Sequence, residues 1–153
     1  MAAAALLFVA APEAGAVIDV NEGIRGVDID MTKRQVTDKI GKPANKKKVK
    51  RGGRSFQLWT YGTGGKLKVE FFRGRVLAVE TKAVDQRTPG GSGVGSTSAQ
   101  LLNDIPKITC RNTGTNKEQC TVGERVRGNI VTTFKLKNNV TKSVEVERIL
   151  PNQ

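Results

Sequence analysis

The densest group of charged side chains in this 153-residue chain surrounds one pair of glycines, Gly52 and Gly53. The group consists of Lys46, Lys47, Lys48, Lys50, Arg51 and Arg54. Clustered cations attract polyanions because binding releases counterions from the polymer, and the affinity falls steeply as salt rises. The whole chain has 26 Lys and Arg against 14 Asp and Glu, a formal net charge of +12. The pattern indicates binding to an anionic polymer or lipid surface; the alternative is a solvated hairpin that only aids solubility.

Groups that could perform catalysis are sparse. The sequence has no histidine, so it lacks the commonest general base, and its two cysteines alone cannot complete a tetrahedral metal site. No G-x-S-x-G or phosphate-loop pattern occurs, and Gly62 to Gly65 falls between two expected strands. No nucleic-acid-binding motif accompanies the positive charge. We therefore expect a protein without catalytic residues, metal or cofactor, and without a specific nucleic-acid partner.

The two cysteines favour a structural role. Cys110 and Cys120 are separated by nine residues that include Asn112, Gly114 and Asn116, which are typical of a hairpin tip. A disulfide across that hairpin suits an oxidising compartment. The alternative is a pair of free or catalytic thiols, which a C-x-x-C spacing or a neighbouring histidine would favour; neither is present.

The N-terminus has the pattern of an export signal. An apolar run from Ala2 to Ala11 is followed by the small-x-small sequence Ala14-Gly15-Ala16. We predict a signal peptide over residues 1–16 and a secreted, periplasmic or cell-envelope location. No Lys or Arg precedes the run, so two alternatives stay open: a true start upstream of Met1, or a buried Ala-rich helix of a cytoplasmic protein. The run is too short to cross a bilayer, and no transmembrane span is expected.

Two short helices are predicted by the same capping pattern. Thr32 is followed three residues later by Gln35, and Thr97 by Gln100, so each pair can exchange hydrogen bonds with the free backbone groups of the first turn. Apolar residues at i and i+4 follow each threonine, and a proline lies beyond each run. Each helix should therefore bury one stripe.

Turn residues divide the rest of the chain into strand-like segments rich in β-branched and aromatic residues. The segments are 46–51, 54–61, 66–72 and 75–82 after the first helix, and 107–111, 117–122, 129–137 and 140–149 after the second. A Pro- and Gly-rich stretch at 85–93 has the composition of a linker. These patterns predict an α+β fold of two tandem repeats, 17–84 and 94–153, each a short helix packed on an antiparallel β-meander.

The segment from Val27 to Val36 resembles a known family motif, Ile-x-x-Gly-Met-Thr-x-x-x-Val, and Val94 to Leu101 is its second copy. The motif is typical of the tandem-repeat β-lactamase inhibitory protein and of the SmpA/OmlA (BamE-like) outer-membrane assembly lipoproteins. Asp30 replaces the usual Gly, Ser96 replaces Met, and the lipidated Cys of the lipoproteins is absent. The resemblance implies a tandem-repeat protein-binding module.

Strand alternation suggests where a protein partner would bind. The set expected to face the first helix is Phe56, Leu58, Leu67, Val69, Phe71, Leu77 and Val79. The opposite face would carry Trp59, Tyr61, Lys68 and Phe72. Aromatic and basic residues together can anchor an interface, so this face predicts an envelope or extracellular protein partner. The alternative is that these aromatic residues pack against the other repeat.

The resembled inhibitor uses the open face of its sheet to bind a partner, so inhibition of β-lactamases is a further alternative. The outward face expected in the second repeat is mainly polar: Val131, Thr133, Lys135 and Lys137. It has no aromatic anchor, which disfavours that activity.

Overall fold

The computed structural model describes residues 17–151, so the expected signal peptide at 1–16 lies outside the described residues. Strands account for 50% of the structure and helices for 11%. The helices are α1 (Lys33–Ile40) and α2 (Ser98–Asp104). The strands are β1 (Ile18–Asp19), β2 (Gly23–Ile24), β3 (Val27–Asp28), β4 (Asn45–Arg51), β5 (Arg54–Tyr61), β6 (Leu67–Phe72), β7 (Arg75–Thr81), β8 (Thr109–Gly114), β9 (Lys117–Val122), β10 (Ile130–Lys137) and β11 (Val140–Arg148).

The long strands form one antiparallel sheet of eight strands in the order β4-β5-β6-β7-β11-β10-β9-β8. Strands β4 to β7 pair with their sequence neighbours, and so do β8 to β11. Tight turns with positive φ join them, as at Asn138 (φ 52°) and Asn139 (φ 59°), where asparagine tolerates the left-handed region. The eight expected strands therefore form where the turn residues placed them.

The pairing of β7 with β11 makes the sheet continuous. Val79 lies opposite Val146, and Glu80 opposite Glu145. The expected α+β fold of two tandem helix-on-meander repeats is therefore wrong: the protein is mainly β, with one eight-stranded sheet and a second of three strands. Each of the two strands would otherwise present an edge of unpaired backbone groups, which pairing between them satisfies.

Both helices begin where the capping pattern placed them. The Thr32 hydroxyl accepts a hydrogen bond from the Gln35 backbone N–H at 3.3 Å, and the Gln35 side chain accepts one from the Thr32 N–H at 2.8 Å. Thr97 and Gln100 repeat this exchange at the start of α2. The two capping boxes are confirmed, and they fix the points at which the chain turns into each helix.

A single hydrophobic core lies under the sheet. Val36 of α1 and Leu101 of α2 belong to the same buried cluster as Phe71 and Phe134, which come from opposite halves of the sheet. The three-stranded sheet β1-β2-β3 contributes Ile18, Ile24 and Val27, all fully buried, to this cluster. Its strands are two residues long, too short to give a periodic pattern in the sequence.

The stretch 85–93 is fixed in place despite its linker composition. Gln86, Thr88 and Ser92 are buried. The Arg87 carbonyl accepts a hydrogen bond from the Ile18 N–H at 2.8 Å, and the Ser92 hydroxyl donates to Asp104 at 2.9 Å. The stretch therefore connects β7 to α2 while packing on both the small sheet and α2.

The predicted disulfide is confirmed. Cys110 of β8 and Cys120 of β9 are directly opposite each other and are bonded, and the structure has no free cysteine. The bond fastens β8, the outermost strand on that side of the sheet, to its only strand neighbour.

A single core predicts coupled unfolding of the two halves. Phe134→Ala removes a fully buried ring from β10 and should lower the free energy of unfolding by about 3–5 kcal/mol. Trp59, the only tryptophan, lies in β5, so its fluorescence reports on the other half of the sheet. In urea denaturation, the midpoints from Trp59 fluorescence and from far-UV circular dichroism should fall together.

Leu102→Ala is the matched control, because Leu102 is 55% exposed and its truncation should barely move either midpoint. An unchanged Trp59 midpoint in Phe134→Ala, with a shifted circular dichroism midpoint, would show that the halves unfold independently.

Candidate functional site

One face of the eight-stranded sheet turns away from both helices, and we call it the open face. A groove of about 310 Å³ lies on it, over the junction of β7 and β11. Its charged lining consists of Arg51, Lys68, Glu70, Glu80, Lys135, Glu145 and Glu147. Strand alternation places these side chains on the face opposite the core residues Val69, Val79 and Val146.

Most charges of the open face are already paired within the protein. Arg51 forms an ion pair with Glu70, Lys135 with Glu145, and Arg125 with Glu147 at 2.8 Å. The three carboxylate side chains are only 14–20% exposed, so these pairs are screened less than surface pairs are. Most of the charged side chains at the groove are therefore neutralised by a partner of opposite charge.

The pKa shifts at the groove follow from this crowding. Burial raises the pKa of Glu147, the charge of Glu145 raises it further, and Arg125 and Lys135 offset only part of the rise. Burial alone would lower the pKa of Lys135, but the carboxylates of Glu145, Glu80 and Glu147 together outweigh that effect and the pKa is raised. Burial and the neighbouring carboxylate therefore disfavour the ionised form of Glu147.

The predicted aromatic face does not exist as one surface. Trp59 and Tyr61 are each only 5% exposed and belong to the core, whereas Phe72 and Lys68 are half-buried on the open face. The assignment of Trp59 and Tyr61 to an outward face is therefore wrong. The Tyr61 pKa is raised by burial, as expected for a phenol inside the core.

The wrong side was predicted for Trp59 and Tyr61 because of the composition of β5. Strand β5 has apolar residues on both faces, so alternation alone cannot decide which face is inside. The hairpin register decides it, because Tyr61 lies opposite Leu67 and Trp59 opposite Val69, both core residues. Recognising the β5–β6 loop as register-setting would have corrected the assignment.

The assignment of Phe56, Leu58 and Leu77 to the face that packs on the helix is also wrong, although Phe56 and Leu77 are buried. Phe56 and Leu58 alternate with Trp59 and Tyr61 along β5 and so lie on the open face. The register shift between Glu70 and Phe71 moves Leu77 to the open face as well, because Val76 takes the position opposite Phe71.

The basic cluster forms one edge of the sheet. Strand β4 is the outermost strand, and Lys46, Lys47, Lys48, Lys50 and Arg51 are all exposed. Lys46 lies opposite Trp59, so it points to the helix side of the sheet, as do Lys48 and Lys50. Lys47 and Arg51 point to the open face.

Some of these cations have structural partners and others have none. The Lys46 ammonium lies 4.7 Å from the Trp59 ring centroid, and the Arg51 guanidinium 4.5 Å from that of Phe56. Arg54 donates a hydrogen bond to the Pro151 carbonyl at 2.9 Å. None of the four lysines of β4 forms an ion pair with a carboxylate of residues 17–151. The hairpin therefore presents uncompensated positive charge, unlike the open face.

One group of potential metal ligands occurs within the described residues, Cys110, Glu118 and Cys120. The two sulfur atoms are joined in the disulfide and therefore offer no thiolate to a metal. Neither α1 nor α2 has the length and apolar character that a membrane crossing needs.

No model of a known family matches this chain, and no curated protein matches it in sequence. The expected membership of the SmpA/OmlA (BamE-like) family is therefore not supported. A structure described as a candidate β-lactamase inhibitor from Streptococcus mutans is 10% identical and has a TM-score of 0.37 over 78% of this chain and 83% of that one. A likeness at that level carries no argument.

Three solved structures share the fold more closely. The uncharacterised protein yfeY from Escherichia coli is 13% identical, with a TM-score of 0.54 over 84% of this chain and 95% of its own. An extracellular SCP-domain protein from Bacillus anthracis is 10% identical, with a TM-score of 0.51 over 86% of this chain. A cysteine-rich secretory protein from Staphylococcus aureus is 13% identical, with a TM-score of 0.50 over 84%. The chain covers 47% of each of these last two, and at such identities the likeness shows the fold alone.

The raised pKa of Glu147 predicts a pH effect on stability. A carboxyl whose pKa rises on folding stabilises the fold below its usual pKa and loses that contribution as pH rises through the folded value. The wild type should therefore lose this contribution between about pH 4 and about pH 7, whereas Glu147→Gln should not. The free energy of unfolding of the variant minus that of the wild type should be larger at the higher pH. Urea denaturation at both pH values measures this difference.

Glu124→Gln serves as the control, since Glu124 is exposed in the β9–β10 loop and forms no ion pair among residues 17–151. The same pH dependence in the wild type and in Glu147→Gln would contradict the assignment of a raised pKa to Glu147.

Proposed function

We propose that this protein is an exported, non-enzymatic binding module that holds anionic polymers through the β4–β5 hairpin. The observation that carries the proposal is the uncompensated charge of β4, whose lysines are exposed and lack carboxylate partners within residues 17–151. Such a cluster gains free energy on binding a polyanion through counterion release, because no internal ion pair must first be broken.

Protection of a sheet edge against aggregation is the competing explanation for lysines on an outermost strand. The opposite edge of the same sheet provides a comparison. Strand β8 is also outermost, yet its six residues include only one cation, Arg111, and a disulfide holds it. Edge protection in this fold thus does not need a row of lysines, which favours a binding role for β4.

Export is supported by the disulfide and by the fold relatives. Disulfides form and persist mainly in oxidising compartments. Two of the similar structures are described as a secretory and an extracellular protein. In that setting the polyanions within reach are cell-wall polymers, anionic lipid head groups and released nucleic acid.

A protein partner remains the second candidate, now on the open face. The groove there exposes half-buried Lys68, whose pairing register places it opposite Glu80, and half-buried Phe72 lies on the same face. This candidate does not include Trp59 and Tyr61, because both are buried. A partner of this face would have to present charges complementary to side chains that are already paired within the protein. Such complementarity adds specificity more than affinity.

If the hairpin binds polyanions, the salt dependence of binding should change when lysines of the hairpin are replaced, and much less when lysines elsewhere are replaced. Replacing Lys47, Lys48 and Lys50 together with Gln should lower the salt at which the chain elutes from immobilised heparin. The slope of log affinity against log salt should become shallower by about 2–3, because each lost contact removes about 0.7–0.9. The matched control replaces Lys82, Lys117 and Lys142, which are exposed elsewhere, with Gln.

Equal elution of the two triple variants would mean that net charge alone drives binding, and the proposal would fail. A pull-down from envelope extract, washed at about 1 M salt where the Debye length is about 3 Å, separates the two candidates. A protein retained by the hairpin variant but lost on Lys68→Gln would favour the open face instead.

A further inference from the structure

A second groove lies on the helix side of the sheet, beside the β4 edge, and we call it the edge groove. Its volume is about 290 Å³. Gln57 and Phe71 form its floor, Lys48 of β4 and Lys33 of α1 lie at its sides, and Arg73 lies at the β6–β7 turn. Among residues 17–151, no acidic side chain lines it.

The cations around the edge groove come from three separate elements. Lys33 starts α1, Lys48 lies in β4, and Arg73 lies between β6 and β7, yet none forms an ion pair with a carboxylate of the described range. The capping box already bonds the Gln35 N–H at the start of α1, so the side chains rather than the helix end supply the charge. The hairpin contributes only Lys48 of these three, and the fold brings Lys33 and Arg73 to the same groove.

Three lysines of β4 form a row on the helix side of the sheet, and the middle one, Lys48, lines this groove. Lys46, Lys48 and Lys50 occupy alternate positions of one strand and therefore point to the same side, about 7 Å apart. Two residues of extended chain contain six backbone bonds. A phosphodiester polymer that links its phosphates through three carbons also has six bonds between successive phosphorus atoms, and six extended bonds advance about 7 Å. The spacing between successive lysines of the row therefore matches the spacing between successive phosphates of such a polymer.

We propose that the edge groove binds an extended phosphodiester polymer, with its phosphates along Lys46, Lys48 and Lys50 and beside Lys33. The inference rests on the proposed polyanion function and narrows its ligand to one backbone repeat. A three-carbon phosphodiester backbone occurs both in single-stranded nucleic acid and in glycerol-phosphate polymers, so the shared chemistry is what the groove recognises.

Recognition in this groove is through the backbone and not through bases. Single-stranded nucleic-acid sites usually stack bases on exposed aromatic rings. Here Phe71 is 2% exposed and Trp59 is 5% exposed under Lys46, so neither ring offers a free surface. A lipid bilayer fits less well, because a flat surface cannot enter a groove between a helix and a strand.

The test uses fluorescently labelled oligomers of propanediol phosphate, which have the three-carbon repeat and no bases. The control oligomer has the same number of phosphates joined by hexaethylene glycol, which lengthens the repeat. Fluorescence anisotropy at about 0.1 M salt should show at least tenfold tighter binding of the three-carbon oligomer. Equal affinities would overturn the repeat match.

Two protein variants locate the site. Replacing Lys33, Lys48 and Lys50 with Gln should weaken binding at least tenfold, and the slope of log affinity against log salt should change from about −3 to about −1, at about 0.7 per phosphate. Replacing Lys66, Lys82 and Lys142 with Gln removes the same charge outside both the edge groove and the β4–β5 hairpin and should have a much smaller effect. Unchanged Trp59 fluorescence verifies the fold of both.

Further outcomes separate the ligand sources and the two proposals. An oligothymidylate should bind within a few-fold of the base-free oligomer; much tighter binding would mean base recognition and overturn the backbone assignment. Tighter binding to vesicles of phosphatidylcholine and phosphatidylglycerol, at about 3:1, would assign the surface to membranes. Equal losses in the two variants, with heparin binding still lost in the hairpin variant, would overturn the edge groove and leave the polyanion function intact.

Discussion

The pairing of β7 with β11 is the contact on which the rest of the structure depends. It joins eight strands into one sheet and gives both helices the same core to pack on. Val79 and Val146 meet at this junction, and both are fully buried. The pairing also brings Glu80 beside Glu145 on the open face, so a junction that satisfies the backbone creates a concentration of carboxylates there. Lys135 pairs with Glu145, and Arg125 pairs with the neighbouring Glu147, so both cations are neutralised within the protein.

The features that local sequence rules describe were predictable. Thr32 and Thr97 begin the helices because the capping box needs only residues three apart. The eight long strands and the Cys110–Cys120 bond follow from turn residues close in the sequence. What failed depended on distant contacts: no local pattern states that β7 pairs with β11. The sidedness of β5 failed because its apolar residues fall on both faces, and that of β7 because a bulge shifts the register.

In the candidate site, basic residues take the binding role that strand alternation had indicated for aromatic residues, and the aromatic residues belong to the core. Trp59 and Tyr61 were expected to recognise a partner, but they stabilise the core on which α1 packs. The basic hairpin, a candidate from its composition alone, takes its geometry from that same core. Because Lys46 lies opposite Trp59, the row of lysines turns toward the helix side of the sheet. Only the tertiary structure brings Lys33 to the same groove.

The central claim is that uncompensated cations at the β4 edge form the binding surface of this fold. Amide chemical-shift mapping of the ¹⁵N-labelled chain during titration with a heparin oligosaccharide tests it most directly. We expect the shifts to concentrate at 45–54, with a second group at Lys33. Shifts concentrated on the open face, at Lys68 and Lys135, would contradict it and return the function to the compensated groove.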